Sequence, residues 1–544
     1  MTHHKIKNHT LAIFKLLNKI LNFLTAAPST PPRWFIAAAP YWGWITAGII
    51  LLSQINQALV PFNTDNAWLL LLAQRVIDGA YPIYPNAGVE TNPPMMIYLN
   101  LLPAWVAQQT GWSILWCFRA FFAGALLAGW ALCVAALRRI PGLQGWQWRM
   151  MAVLLAYGLF LLPGMIFGQR DHLLFAWWLP FGLATFLRTE KVILHKGIRL
   201  LIGILAGIAV CLKPQAGILF IIVAVGTLVR RCFWSWVLSL ESIAAVSMGL
   251  LFCGVVWTQE RYFMETLLPI LTMLYARYDG FDFTILRNVS MILPGIPLSI
   301  LLIRKRYTLP DIQNKFLFWS LILAGGFFLL ALAQMRGFTY HYTGVFILSS
   351  LIVGWAYCLA SHRLVGLLAI ALVLFFPMAF NNVTAKKGDI PMWTSEHDIR
   401  TRLADIPSSV SYISLATTPF TPFPTPNTVP WKNKNTVGGL WYFEPASNLT
   451  TYPREVSLLD AFTKNDLRAA GLVVIDINKY IPLREGAVRM PEDFLAYFLN
   501  QAGMEEMRGC FLSLLKVSGY EVFMNGCVLL PLSTPPAPDT RAAP

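Results

Sequence analysis

The sequence predicts a polytopic α-helical membrane protein of about eleven transmembrane helices, followed by a C-terminal extracytoplasmic α/β domain. Three observations predict it. Hydrophobic residues make up 56% of the 544 residues and charged residues only 13%, and the mean hydropathy is +0.56. That is more apolar surface than one water-soluble core encloses. The apolar residues fall in runs of bilayer-crossing length. The polar stretches between the runs also segregate, with bare Arg/Lys clusters alternating with groups of amides, carboxylates, Gly and Pro.

The formal net charge of +15 does not argue for a nucleic-acid partner, because the positive residues sit in short hops between apolar runs, the pattern of topogenic charge. Residues 1–40 form a basic cytoplasmic or interfacial segment. Lys15 and Lys19 interrupt its apolar stretch and no small-residue cleavage site is evident, so it does not read as a cleaved leader. Leu11–Thr25 reads as an amphipathic helix on the cytoplasmic surface, with Lys5, Lys7, Lys15 and Lys19 towards anionic membrane lipids.

Residues 41–380 carry the spans. They are expected at Tyr41–Val60, Ser113–Leu137, Met150–Phe167, Leu173–Leu187, Leu200–Leu212 and Ala216–Val229. They continue at Trp234–Trp257, Leu286–Ile303, Phe316–Ala333, Thr343–Ala360 and Leu364–Phe380. Met95–Ala107 is apolar as well, but it follows Pro93 and Pro94 and contains Pro103. It is therefore read as an interfacial or re-entrant helix. With that choice Arg138/Arg139/Arg149, Arg188/Lys191/Lys196/Arg199, Arg230/Arg231, Arg304/Lys305/Arg306 and His362/Arg363 all fall on one side. The positive-inside rule makes that side cytoplasmic.

The opposite side carries Asn63-Thr64-Asp65-Asn66, Glu90-Thr91-Asn92-Pro93-Pro94, Gly168-Gln169-Arg170-Asp171-His172 and Lys213-Pro214-Gln215. It also carries Tyr275-Ala276-Arg277-Tyr278-Asp279 and Arg336 to Tyr342, with Tyr340 and His341. Ionisable groups at membrane ends, beside Gly, Pro and amides, are costly unless they line a wet cavity. Singly each has a plainer explanation: Asp65 as an N-cap ahead of Ala67, Arg170 with Asp171 as an interfacial ion pair, Lys213 as a snorkelling side chain, His341 as part of an aromatic belt. Together, on one face, they describe a site.

A carboxylate beside a membrane can take the proton from an attacking hydroxyl, which gives Asp65 the part of base. Cations at the lipid boundary can hold a phosphate as a leaving group, which suits Arg170, Lys213 and Arg336. Asn66, Glu90, Asn92, Gln169, Asp171, His172, Gln215, Tyr275, Arg277, Tyr340 and His341 complete the expected substrate-binding set.

The run Asp65-Asn66-Ala67-Trp68 to Gly79-Ala80-Tyr81-Pro82-Ile83-Tyr84, then Asn92-Pro93-Pro94-Met95-Met96-Ile97-Tyr98, resembles the first outer loop of GT-C glycosyltransferases. These include polyprenyl-phosphate-sugar-dependent mannosyltransferases, lipid A aminoarabinose transferases and protein O-mannosyltransferases. The likeness covers roughly Tyr41 to Phe380. It implies a polyprenyl-phosphate sugar donor, a glycan, lipid or protein acceptor, inversion at the anomeric carbon, and a bacterial inner membrane with catalysis outside the cytoplasm. By matched position it implies Asp65 as base or acceptor organiser, and Arg170 and Lys213 as donor-phosphate contacts. Many relatives carry a second acid where this chain has Asn66. With Asp65 and Glu90 the nearby carboxylates, the expectation is no metal or a loosely held divalent cation. The competing class is a lipid or glycan flippase or transporter. Such proteins often show internal repeats and mid-depth broken helices, which this sequence does not display.

The loop Thr258–Asp282 mixes carboxylates, arginines and aromatics, and reads either as a substrate-covering loop or as an interfacial helix. Residues 381–532 lose membrane character. Strand-like runs at Val410–Ala416, Leu472–Ile477 and Tyr520–Leu530 alternate with helix-like stretches at Pro491–Ala502 and Met504–Leu515. Pro419 to Pro426 is a proline-stiffened loop, and Trp431, Trp441, Tyr442 and Phe443 suit either a sugar groove or a core. An odd number of spans puts this domain outside the cytoplasm, where Cys510 and Cys527 are open to a disulfide. Residues 533–544 read as a disordered tail.

Overall fold

The computed structural model describes residues 39–59, 63–90, 92–164, 167–270, 272, 311–334, 339–360, 399, 401–415, 432–433, 454–476, 480–483, 486–489, 505–517 and 520–529. The basic N-terminal helix, the spans at Leu286–Ile303 and Leu364–Phe380, the helix-like stretch Pro491–Ala502, the proline-stiffened loop, its four aromatic neighbours and the tail lie outside these residues. The chain divides into two compact units. One takes the described residues of Met1–Asn63, Asn92–Thr258 and Gly280–Lys386; the other takes those of Thr64–Thr91, Gln259–Asp279 and Lys387–Pro544.

The first unit is helical. It contains α1 (Trp42–Leu59), α3 (Met95–Thr110), α4 (Ile114–Leu137), α5 (Gly145–Ala156), α6 (Arg170–Thr189), α7 (Lys196–Leu212), α8 (Gly217–Val229), α9 (Leu240–Gln259, whose last residue falls in the second unit), α10 (Asp311–Ala333) and α11 (Thr343–Ala360). Among the described residues α4, α9 and α10 are long and apolar enough to cross a bilayer, and shorter apolar helices lie at Pro214–Val229 and Thr343–Ile352. Gly203 and Gly207 bring α7 against α9: a Cβ at these positions would lie 2.4 Å from the Glu241 carbonyl oxygen and 2.6 Å from that of Ala245. Small residues four apart allow such backbone approach where lipid removes the hydrophobic drive between helices.

Charged residues fasten the far ends of these helices. Glu241 Oε1 accepts from Arg188 Nε at 2.9 Å and Nη2 at 2.7 Å, and its Oε2 accepts from Arg199 Nε at 2.7 Å. Arg188 and Arg199 belong to the cluster read as topogenic, so the same cations also join α6, α7 and α9. Arg230 pairs with Glu190, and Lys315 with Asp311.

Several expected elements are corrected. Trp234–Trp257 is two helices, Phe233–Val237 and Leu240–Gln259, because Ser239 Oγ accepts from the Ser242 N–H at 3.2 Å and caps a new start. Met150–Phe167 is not one α-helix: α5 passes into a π-helical turn at Tyr157–Leu161. The helix expected from Leu173 begins at Arg170, so Arg170, Asp171 and His172 lie in its first turn rather than in a preceding loop.

In the second unit, α2 (Thr64–Ile77) stands with a mixed sheet. The strands are β1 (Ser411–Leu415), β2 (Lys432–Asn433), β3 (Leu472–Asp476), β6 (Phe511–Val517) and β7 (Tyr520–Asn525), in the order β2-β1-β3-β7-β6. β1 runs parallel to β2 and β3, with Tyr412 opposite Leu472, and β7 runs antiparallel to β3 and β6. β4 (Tyr480–Leu483) and β5 (Gly486–Arg489) form a separate hairpin. The helix α12 (Arg454–Ala469) precedes β3. Ile399, Leu403, Val410, Tyr412, Leu472, Val474 and Val522 make the core. The helix expected at Met504–Leu515 is instead a short 3-10 turn and then β6. The strand expected to reach Leu530 ends at Asn525, whose Oδ1 accepts from the Cys527 N–H at 3.2 Å and opens a helical turn. Cys510 and Cys527 are joined by a disulfide.

Candidate active site

The approach to α6 is built by glycine and a π turn. Gly168 has φ +77°, and a Cβ there would lie 2.9 Å from Phe118 Cζ, so only glycine fits both the backbone and the space. Gln169 follows in extended conformation at the N-cap position and is buried. The π turn leaves backbone carbonyls that other helices satisfy. Ser53 Oγ donates to Phe160 O at 2.7 Å, Gln57 Nε2 to Gly164 O at 2.7 Å, and His172 Nε2 to Leu159 O at 2.8 Å. His172 Nδ1 accepts from the Gly168 N–H at 3.3 Å. Both nitrogens of this buried ring therefore serve the backbone, and His172 shapes the turn.

Lys213 is aimed by the proline after it. α7 stops at Leu212 and Lys213 is extended (φ −148°, ψ 109°), as Pro214 requires of its predecessor. Its buried Nζ donates to Asp171 Oδ2 at 2.6 Å, to Gln334 Oε1 at 2.6 Å and to His341 Nδ1 at 3.0 Å. Asp171 comes from the first turn of α6, Gln334 from the residue after α10, and His341 from the 3-10 turn Thr339–Tyr342 that opens α11. Three elements thus converge on the ammonium that follows α7. Charges buried to this degree cost several kcal/mol each unless paired and hydrogen-bonded, and here they are.

Of the expected site residues, Asp171, Lys213 and His341 are brought together, and Gln334 joins them without having been singled out. Arg170 is buried one residue before Asp171. Gln215 is exposed in the turn Pro214–Ala216, and Asn92 lies just ahead of α3. Tyr275, Arg277 and Arg336 lie outside the described residues, as does the Tyr340 side chain.

Asp65, Asn66 and Glu90 belong to the second unit. α2 begins at Thr64, so Asp65 is not the N-cap; it sits in the first turn, where the helix dipole favours an acid. Asn66 and Glu90 are buried. The loop that follows α2 is clamped by Glu260, a fully buried residue whose Oε1 and Oε2 accept from the N–H groups of Ile83 and Tyr84, each at 3.1 Å. Tyr81 Oη hydrogen-bonds Gln259 Oε1 at 3.2 Å, and the Tyr84 and Phe263 rings lie 5.0 Å apart. Arg75, in the last turn of α2, donates to Ala87 O at 2.7 Å and to Asn433 O of β2 at 2.8 Å, and lies over the Trp68 ring. Burial pulls the Arg75 guanidinium down to about 10 against the opposing pull of Asp466 and Tyr412, which leaves it charged at neutral pH. Among the described residues no cluster of three or more His, Cys, Asp or Glu suited to a metal ion is formed. Between Asp171 and His341 the cation is the Lys213 ammonium.

No family model and no curated protein matches the chain. Solved structures do. ArnT from Cupriavidus metallidurans bound to undecaprenyl phosphate aligns with 92% of this chain and 100% of its own, at 15% identity and a TM-score of 0.51. The same protein in the apo state aligns with 90% of this chain and 99% of its own, at 13% identity and 0.42. The arabinofuranosyltransferase AftD from Mycobacteria aligns with 92% of this chain and 40% of its own, at 13% identity and 0.37. The chain has the fold of ArnT in its structure with undecaprenyl phosphate.

Proposed function

We propose that the protein is an integral-membrane glycosyltransferase that moves a sugar from a polyprenyl-phosphate donor to a glycan, lipid or protein acceptor, with about eleven crossings of a bacterial inner membrane and its C-terminal domain outside the cytoplasm. The observation that carries this reading is the ArnT–undecaprenyl phosphate fold over the full length of that protein. Because fold alone does not give function, the reading also leans on the acid in the first turn of α2 and the buried polar centre at the start of α6. The disulfide in the C-terminal sheet fits an oxidising compartment.

In this scheme the Asp65 carboxylate accepts the proton of an acceptor hydroxyl as its oxygen attacks the anomeric carbon. The bond from that carbon to the phosphate oxygen breaks on the opposite face, and polyprenyl phosphate leaves with the bonding pair, inverting the centre. Arg170, Lys213 and Arg336 are the cations assigned to the phosphate. Asp65→Asn lowers turnover by at least about 100-fold, the usual share of a general base, while polyprenyl-phosphate binding is kept. Arg170→Met weakens that binding. Steady-state kinetics with native mass spectrometry of bound lipid tests both. Full turnover by Asp65→Asn contradicts the assignment.

A further inference from the structure

α6 and α8 end in the same way, and each carries a cation where the backbone favours glycine. Lys191 has φ 60° and Arg231 has φ 55°, the left-handed region that residues other than glycine enter at a cost. Both close a Schellman motif. The Lys191 N–H donates to Arg188 O at 3.0 Å and the Val192 N–H to Leu187 O at 2.8 Å. The Arg231 N–H donates to Leu228 O at 3.0 Å and the Cys232 N–H to Thr227 O at 2.9 Å. The cap residues just before them, Glu190 and Arg230, form an ion pair that ties the two helix ends together. Lys191 and Arg231 themselves are exposed, and among the described residues neither has a carboxylate partner. The carboxylates of these ends are engaged by other cations: Glu190 by Arg230 and Lys315, Glu241 by Arg188 and Arg199. Arg188 Nη1 also donates to Ser235 O at 3.3 Å, which joins α6 to the short helix after Arg231. Apolar side chains flank the two cations: Val229 is 75% exposed, Trp234 72% and Ile193 63%.

We propose that the joined ends of α6 and α8 bind an anionic phospholipid, with Lys191 and Arg231 on its phosphate and Val229, Ile193 and Trp234 along its apolar part. Topogenic charge explains why cations gather at these ends. It does not explain why two of them occupy glycine positions of paired helix caps. Cations left without carboxylates, beside exposed aliphatic and indole surface, match the boundary between headgroup and acyl chain. Free phosphate offers the same charge but nothing to the apolar flank, so the lipid is the occupant these surroundings favour. The contact rests on the chain spanning a membrane and not on sugar transfer.

The test uses full-length protein in mixed micelles, with native mass spectrometry of bound lipid. Wild type binds phosphatidylglycerol at least about tenfold more tightly than phosphatidylcholine, and inorganic phosphate at matched ionic strength does not displace it. Lys191→Gly with Arg231→Gly supplies the residue the backbone favours, so in neutral lipid this variant unfolds at or above the wild-type temperature. Its preference for phosphatidylglycerol nevertheless falls at least about tenfold. Lys191→Arg with Arg231→Lys keeps the preference within about threefold. So does Arg138→Gln with Arg139→Gln, which removes the same charge at the end of α4. If the glycine variant does not fold, Lys191→Asn with Arg231→Asn, a residue that tolerates this backbone, reads the same preference. Four results each overturn the proposal: no preference in wild type, displacement by inorganic phosphate, an unchanged preference in the glycine variant, or an equal loss in the Arg138 and Arg139 variant. A chain that keeps the preference but transfers no sugar defeats the transferase reading alone.

Discussion

Lys213 and Asp171 form an ion pair with side chains 4% and 6% exposed, so removing one partner strands the other without water. Lys213→Met alone is expected to destabilise the protein by about 3–5 kcal/mol, and the neutral pair Asp171→Asn/Lys213→Met by clearly less. Chemical unfolding of the purified variants measures the difference, and equal losses would contradict the pairing. Three members of this centre, Asp171, Lys213 and His341, were legible in the sequence as polar residues at the ends of apolar runs. Their convergence was not, because Lys213 is 42 residues from Asp171 and 128 from His341, and local pattern carries no information at that separation. Gln334 closes an apolar run and looks like any boundary residue. His172 read as a substrate contact because its motif is polar, but its nitrogens face backbone that only the π turn exposes. Glu260 likewise stood as one carboxylate in a mixed loop, with nothing near it in sequence to announce a clamp on Ile83 and Tyr84.

At the scale of elements, the boundaries that were legible are those marked by local chemistry. Thr343–Ala360 is a helix over the expected residues, Ser113–Leu137 differs by one residue, and Lys213-Pro214 breaks two short helices where expected. Boundaries failed where tertiary partners decided the outcome. Residues 511–517 alternate too weakly to distinguish strand from helix, and pairing with β7 decides. Two elements give predictions. Gly168→Ala adds a Cβ against Phe118 at a positive φ, which costs about 1–3 kcal/mol and shows as a lowered unfolding midpoint. Glu260→Gln replaces one of two backbone acceptors with a donor, which costs about 1–3 kcal/mol. It is expected to raise proteolytic cleavage near Tyr81–Tyr84; an unchanged cleavage pattern would argue against the clamp.

For the whole molecule, composition and the apolar runs announced a largely helical chain, and among the described residues α4, α9 and α10 are long and apolar enough to cross a bilayer. The composition and the runs did not announce that the described residues of Thr64–Thr91 share a compact unit with the C-terminal sheet, a link made by Arg75 reaching both Ala87 and Asn433. The Cys510–Cys527 bond, across a sequence separation of 17, is expected to add about 2–4 kcal/mol to that unit. In sealed membrane vesicles its thiols should resist alkylation until reductant is added. Labelling from the cytoplasmic side without reduction would contradict an outer location. Group transfer and transport of the same lipid differ in whether polyprenyl phosphate is released. The most direct measurement is mass-spectrometric detection of polyprenyl phosphate when purified protein meets a panel of polyprenyl-phosphate sugars, with and without membrane-glycan extract. A transferase gives acceptor-dependent release of polyprenyl phosphate with matching gain of sugar on the acceptor. Folded protein that binds these lipids and moves them across a liposome bilayer, yet releases none, would contradict the transferase reading.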